Sequence, residues 1–294
     1  MTLQAVAPTP FDPGNWGEIV DIKTIQRTPV PVRGPETWRP FPHHQYVEMI
    51  EQAFSRHGFS NSEPVHYRAP SRDNGKIKDL PEQGRFLSLY GIAHPELPDL
   101  PGMSWEVGAV NSYDMSKSIQ LGLGNRVSVC SNGMMMGASQ AFKRKHTVGI
   151  NRDRDDHFEM VYSLVDVAVR GLKREAETQT KRIQSFMQIG CEDTDARWVI
   201  MEAAKSGVIG AAQTMKVLKH WETPEHPEFN DRSAWSLVNA FTSNDRGRNI
   251  MTQGSRFETL HGILGERFGG PINPDGTDES VEFYRDPVGS ATDF

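Results

Sequence analysis

Lys143-Arg-Lys-His146 places three cations in consecutive positions beside a β-rich run. Like charges this close repel one another unless an anion offsets them. Arg152 and Arg154 follow closely, and Arg170, Lys173, Arg174, Lys181 and Arg182 fall in a stretch with helical spacing. At 3.6 residues per turn, positions 170, 173/174, 177 and 181 share one side of that helix. From Arg126 to Arg182 eleven basic side chains meet seven acidic ones, a local net of +4. Neutralising the phosphates of a nucleic acid uses this kind of array. Trp105, Tyr113 and Phe142 lie in or beside the β-rich region and offer rings on which unpaired bases can stack. The plainer alternative is a solvated helix face balanced by Glu175 and Glu177, with the aromatics in the core.

Other chemistry is less well supplied. Asn151-Arg-Asp-Arg-Asp-Asp-His-Phe-Glu159 holds Asp153, Asp155, Asp156, His157 and Glu159, which as oxygen and imidazole donors could ligate a hard cation. Acidic residues at a helix start explain the cluster better: Asp155 or Asp156 is a natural N-cap, and the charges complement the macrodipole. His43-His44 lies among prolines and reads as surface, and Cys130 follows a β-rich run and reads as core. The chain lacks a Walker-type phosphate loop, a dinucleotide-binding glycine pattern, C-x-x-C, H-E-x-x-H and G-x-S-x-G. No metal and no cofactor are expected.

The formal net charge of −6 belongs mostly to one end. Residues 271–294 hold Asp275, Asp278, Glu279, Glu282, Asp286 and Asp293 against Arg285 alone, a net of −5. The tail closes on Asp293 and Phe294, an aromatic beside an acid, in the manner of several single-stranded-DNA-binding proteins. Such a tail can occupy the chain's own basic groove in competition with nucleic acid while its end recruits other proteins.

These residues need elements to position them. Residues 1–42 contain eight of the nineteen prolines and read as an extended arm, neither helix nor central strand, ordered where it docks. Tyr46, Val47, Ile50, Ala53 and Phe54 recur at helical spacing before Gly58, predicting a short helix over 44–57. Between 64 and 148 the runs 85–93, 104–110, 118–123 and 126–130 are short and β-rich, with Gly124-Asn125 as a hairpin-like turn between the last two. The expectation is an antiparallel meander of three to five strands, with 139–147 as a further strand or short helix. Phe158, Val161, Val165, Ala168, Leu172, Ala176, Ile183 and Met187 then form one stripe of a helix over 157–188, interrupted in propensity but not stopped by Gly171. Further helices are predicted over 195–205, 210–221, 232–243 and 254–268. The fold class is α+β, divided into a Pro-rich arm (1–42), a core domain (43–270, sheet part about 64–148, helical part about 155–270) and an acidic flexible tail (271–294).

Read in order, Asn111-Ser-Tyr-Asp-Met-Ser116, Arg126-Val-Ser-Val-Cys-Ser-Asn-Gly133, Lys143-Arg-Lys-His-Thr147 and Ser233-Ala-Trp-Ser-Leu-Val-Asn-Ala-Phe-Thr242 form a series. It resembles the phage/plasmid-like protein family catalogued as domain of unknown function 932, with Tyr113 where that family usually has His. The resemblance covers roughly 85–245. It implies phage, prophage or plasmid origin and brings no established activity. Its matched positions Asn111, Asp114, Cys130, Asn132, His146 and Thr147 make either a site or a structural polar network. The order helix, meander, long helix is also similar to the annealing core of phage single-strand annealing recombinases, an analogy of fold.

No run approaches the apolar length of a membrane span, the start has no signal-peptide pattern, and two cysteines make no disulfide framework. The chain therefore reads as soluble and cytoplasmic, in a host cytoplasm if phage-encoded. The expected function is single-stranded DNA binding, with annealing as a variant, in phage-type replication or recombination and without substrate turnover. Arg126, Lys143, Arg144, Lys145, Arg152, Arg154, Arg170, Lys173 and Arg174 would hold phosphates and Trp105 or Tyr113 would stack. Asp293 and Phe294 would meet replication, recombination or transcription proteins, and homo-oligomerisation stays open. The alternatives are a metal-dependent nuclease or phosphoesterase using Asp114, His146 and the 153–159 cluster, or a non-enzymatic factor binding host proteins through the tail.

Overall fold

A computed structural model describes residues 4–8, 10, 17–73, 75–127, 139–146, 154–244 and 253–269. Its centre is an antiparallel sheet of seven described strands: β1 (Glu18–Val20), β2 (Ser60–Asn61), β3 (Val65–Ala69), β4 (Arg85–Ala93), β5 (Met103–Ser112), β6 (Ile119–Val127) and β7 (Ser139–Arg144). The order across the sheet is β1-β3-β4-β5-β6-β7, with β2 pairing the far end of β4. The helices are α1 (Ile22–Arg27), α2 (His43–Arg56), α3 (Arg154–Gln188), α4 (Asp193–Lys205), α5 (Ala211–Glu222), α6 (Ala234–Asn244) and α7 (Gln253–Phe268). This is the expected α+β fold with a helical C-terminal half.

Strand alternation decides the two faces of the sheet. Phe86, Tyr90 and Ile92, Trp105, Val107 and Ala109, and Ile119, Leu121 and Leu123 turn to one side, where they meet α2 and α3 in the main core. Tyr67, Leu87, Leu89 and Val110 turn to the other and form a smaller cluster. Because both faces are covered, β4 is buried from Arg85 to Ile92, and its sequence reads as a nearly continuous apolar run.

The α3 helix spans 35 residues and passes through Gly171 without a break. Val161, Val165, Ala168, Leu172, Ala176 and Ile183 are buried along it, whereas Met187 emerges at 40% exposure. It packs on α2, β6, β7 and α6, and so ties the sheet to the C-terminal helices. The α6 helix is buried on every side from Ala234 to Thr242. Two of its polar residues bond to the helix backbone: Asn239 Nδ2 donates to the Trp235 carbonyl at 2.9 Å and Thr242 Oγ1 to the Asn239 carbonyl at 2.9 Å.

The sequence reading needs correction at three places. The arm is more structured than its prolines suggest, since the stretch between Pro13 and Pro29 has none. There β1 pairs β3 at the sheet edge, and α1 follows with Asp21 as its N-cap and Ile25 in the core. The predicted turn at Gly124-Asn125 lies inside a single strand, β6, where Asn125 pairs Trp105; β5 supplies a long enough partner to hold the chain extended through both residues. Third, His43 is buried, 1% exposed, because α2 begins one residue earlier than predicted and points that ring inward. Within the 139–147 segment, Ser139–Arg144 form the strand β7.

Residues 5–8 belong to the same assembly. Gly91 on β4 leaves room for them: a Cβ there would sit 1.8 Å from the Val6 carbonyl oxygen. A backbone crossing that close is compatible only with glycine.

Candidate nucleic-acid interface

In an antiparallel sheet the start of one strand lies beside the end of the next. The register places Ala69 opposite Arg85, Arg85 opposite Ser112, Val110 opposite Gln120, and Gln120 opposite Lys143. One end of the sheet thus gathers the residues leaving β3, entering β4, leaving β5, entering β6 and leaving β7. Arg72, Arg85, Asp114, Lys117, Lys143 and Arg144 are all found there.

Asp114 organises this end. Its Oδ2 accepts from the Arg72 backbone N–H at 2.7 Å and its Oδ1 from the Ser116 N–H at 2.9 Å, which holds the β5–β6 turn with Met115 in the left-handed region (φ 60°). The Arg85 guanidinium lies 3.8 Å from Asp114 Oδ2 and donates through Nε to the Pro70 carbonyl at 2.5 Å. Ser112 Oγ accepts from the Lys117 N–H at 3.0 Å and donates to the Lys117 carbonyl at 2.9 Å. The backbones of Arg72 and Lys117 and the side chain of Arg85 are therefore pinned. Partial burial and the nearby Arg72, Lys143 and Arg85 lower the Lys117 pKa, and Asp114 opposes them.

Behind the cations lies a layer of buried imidazoles. The His43 ring stacks on Tyr113 at 3.9 Å and on Phe86 at 5.0 Å, and its backbone N–H, the first in α2, donates to Tyr113 Oη at 3.0 Å. His146 follows β7 and His157 sits in the first turn of α3, against Phe41. The Gly84 backbone acts on the His43 ring and the Arg39 backbone on the His146 ring, in both cases against the larger effect of burial. Burial holds all three below the usual histidine range, His43 to about 3 and His146 and His157 to about 4. For His157 the Arg144 and Arg39 charges add to the effect, and for His146 the His157 ring adds while the Arg39 backbone and Asp114 oppose. The N-termini of α2 and α3 meet this same end and contribute their positive dipole ends.

The sequence-predicted residues do not all converge. Lys143 and Lys145 are exposed at this end, with Arg144 buried between them. Arg126 is at the opposite end of β6, six residues from Gln120 or about 20 Å along the strand. It is buried there with its guanidinium 3.4 Å from Glu106. Burial outweighs Arg126 and raises the Glu106 pKa to about 7. Arg170, Lys173 and Arg174 lie on the outer side of α3, thirteen residues or more past His157, which is about 20 Å of helix. Arg170 and Arg174 are exposed, and Lys173 pairs with Glu96 at 2.9 Å. Arg152, Asp293 and Phe294 lie outside the described residues, as do the side chain of Arg154 and the whole of Asp153, Cys130, Asn132 and Thr147.

The stacking expectation is corrected outright. Tyr113 is fully buried in its stack with His43, and Trp105 is 7% exposed with Nε1 donating to the Pro98 carbonyl at 2.8 Å. Both rings serve the core: Trp105 sits on β5, whose faces are covered, and Tyr113, just past the end of β5, lies under the His43 ring. The N-cap expectation also shifts: α3 starts at Arg154, so Asp155 and Asp156 fall in its first turn. Among the matched motif positions, Asn111 is structural, its Nδ2 donating to the Phe41 carbonyl at 2.7 Å.

Arg72, Arg85, Lys117, His43 and His157 were not singled out in the sequence as phosphate-binding residues. A usable sign was present. In an up-and-down meander, charged residues before even-numbered strands and after odd-numbered ones share an end, whatever their distance in sequence. Among the described residues no group of three or more His, Cys, Asp and Glu is placed to hold a metal ion, and no helix is long and apolar enough to cross a membrane. Comparisons with family models, with curated proteins and with solved structures return no match for this chain.

Proposed function

We propose that this protein binds single-stranded DNA through the cationic end of its sheet, as a non-catalytic component of phage-type replication or recombination in a bacterial cytoplasm. The observation that supports the reading is the convergence of Arg72, Lys117 and Lys143, from three parts of the chain, on the sheet end where Asp114 engages the buried Arg85. Lys143 and Lys145 project from the rim of that cluster, and they are the residues this reading assigns to first phosphate contact. Buried Arg126, Trp105 and Tyr113 take no part in it.

Single-strand binding through phosphates releases counterions, so affinity falls with salt at a log–log slope of about −0.7 per contact. The test is titration of a fluorescent oligonucleotide at several salt concentrations with the wild-type protein and with the Lys143→Gln/Lys145→Gln variant, whose changes are exposed and leave the core intact. The variant should bind more weakly, with the slope reduced by about 1.4. Absent binding, or affinity indifferent to salt, overturns the reading.

A further inference from the structure

We propose that Tyr162, on the outer side of α3, is a stacking platform for an unpaired base, with the exposed Arg170 and Arg174 receiving phosphates of the same strand. The inference rests on the nucleic-acid reading and adds to it a second contact, away from the sheet end.

The first ground is the ring. Trp105 and Tyr113 are spent on the core, whereas Tyr162, alone among the described phenylalanines, tyrosines and tryptophans, is exposed, at 37%. It is also held in place. The guanidinium of Arg56, the last residue of α2, lies over the ring with Cζ 4.8 Å from the centroid. Asp166, about one helical turn after Tyr162, keeps that guanidinium there. Its Oδ1 accepts from Arg56 Nε at 3.0 Å and lies 2.9 Å from Nη2 and 3.0 Å from His57 Nε2. A ring fixed before binding loses little side-chain freedom when a base settles on it. The guanidinium behind it adds cation–π attraction to the stack.

The second ground is the charge beside the ring. Arg170 and Arg174 follow Tyr162 on the same helix and both are exposed. They lie about 12 and 18 Å along the axis and no more than about a third of a turn around it. Glu159, exposed about one turn before Tyr162, repels phosphates from that direction. The backbone of a strand stacked on the ring is therefore directed toward the two arginines. Lys173, in the same stretch, is paired with Glu96 at 2.9 Å and is assigned no contact. An aromatic face with cations beyond it matches the two groups that a single strand exposes, its unpaired bases and its phosphates.

The experiment uses the full chain with a labelled single strand and the matching duplex, at a fixed salt near 0.15 M and across a salt series. The variants are Tyr162→Ala, Tyr162→Phe and Arg170→Gln/Arg174→Gln, each checked for folding by thermal melting. Tyr162→Ala should bind the single strand about 5- to 150-fold more weakly, the loss of one stacked base, at unchanged salt slope and unchanged duplex affinity. Tyr162→Phe keeps the ring and should stay within about threefold of wild type. The arginine variant should reduce the slope by about 1.4. Should Tyr162→Ala not fold, ultraviolet crosslinking of a 5-iodouracil-substituted strand to the wild-type protein reads the same contact, and the linked residue should be Tyr162. Salt-dependent single-strand binding that is unchanged in Tyr162→Ala, or weakened as much in Tyr162→Phe, overturns this inference and leaves the nucleic-acid reading standing. Crosslinks confined to other residues do the same. Binding of neither strand by the wild-type protein overturns both.

Discussion

At the scale of single residues, burial decides which polar and aromatic groups are free to meet a ligand. Trp105 is the clearest case: its ring is in the core and its one donor is spent on Pro98. Replacing it by Leu removes ring volume and that hydrogen bond, and should destabilise the protein by roughly 1–3 kcal/mol in urea unfolding. Oligonucleotide affinity of the folded variant should stay within about twofold, whereas loss of a stacking platform would cost about 1–3 kcal/mol of binding. Arg126 illustrates the same rule for charge. Its guanidinium is committed to Glu106, and a buried carboxylate left alone is far more costly than an exposed pair is valuable. An array counted in sequence therefore overstates the charge available to a ligand.

At the scale of elements, α3 links the two halves of the molecule, and its weakest position is Gly171. That residue is exposed, and a Cβ added there meets nothing within 4 Å. Gly171→Ala should stabilise the protein by about 0.5–1 kcal/mol, read as a higher urea midpoint at unchanged slope. No contact is gained; the helix loses less backbone entropy on forming. Gly91 is the opposite case, since its missing side chain makes room for the Val6 backbone.

At the scale of the whole molecule, buried histidines set the response to acid. His43 and His261 are held to about 3, and His66, His146 and His157 to about 4, in each case chiefly by burial. The unfolded chain protonates them near pH 6.5, while the folded one resists until pH 3–4. Their contribution is therefore complete above about pH 6.5 and is lost as pH falls toward 4, by up to about 1.4 kcal/mol per pH unit for each ring. Glu106 acts oppositely, since its raised pKa favours the folded state at the acid side of about 7. Burial and Glu48 also raise the Glu51 pKa, and two carboxyls against five imidazoles leave the net sign unchanged. Urea unfolding at pH 7.5, 6 and 5 should show stability falling steeply over the last step; a flat profile would mean that these rings are solvated.

The sequence by itself determined the local structure wherever a period was strong. The helices over 43–56 and 154–188 and the C-terminal helices carry their apolar stripes openly, and the β-rich runs declare strands, because both periods are properties of neighbouring residues. Lys143 and Lys145 were legible for the same reason, as adjacent cations at a strand's end. Tertiary structure alone decided the rest. It joined Arg72, Arg85, Lys117 and Lys143 across more than seventy positions, since antiparallel pairing brings distant strand ends together. It covered both faces of the sheet, which consigned Trp105 to the core, it laid His43 over Tyr113, and it carried Gly124-Asn125 through as strand because β5 was there to pair with. Local chemistry sets what each segment can form, and only its partners set which groups are left facing solvent.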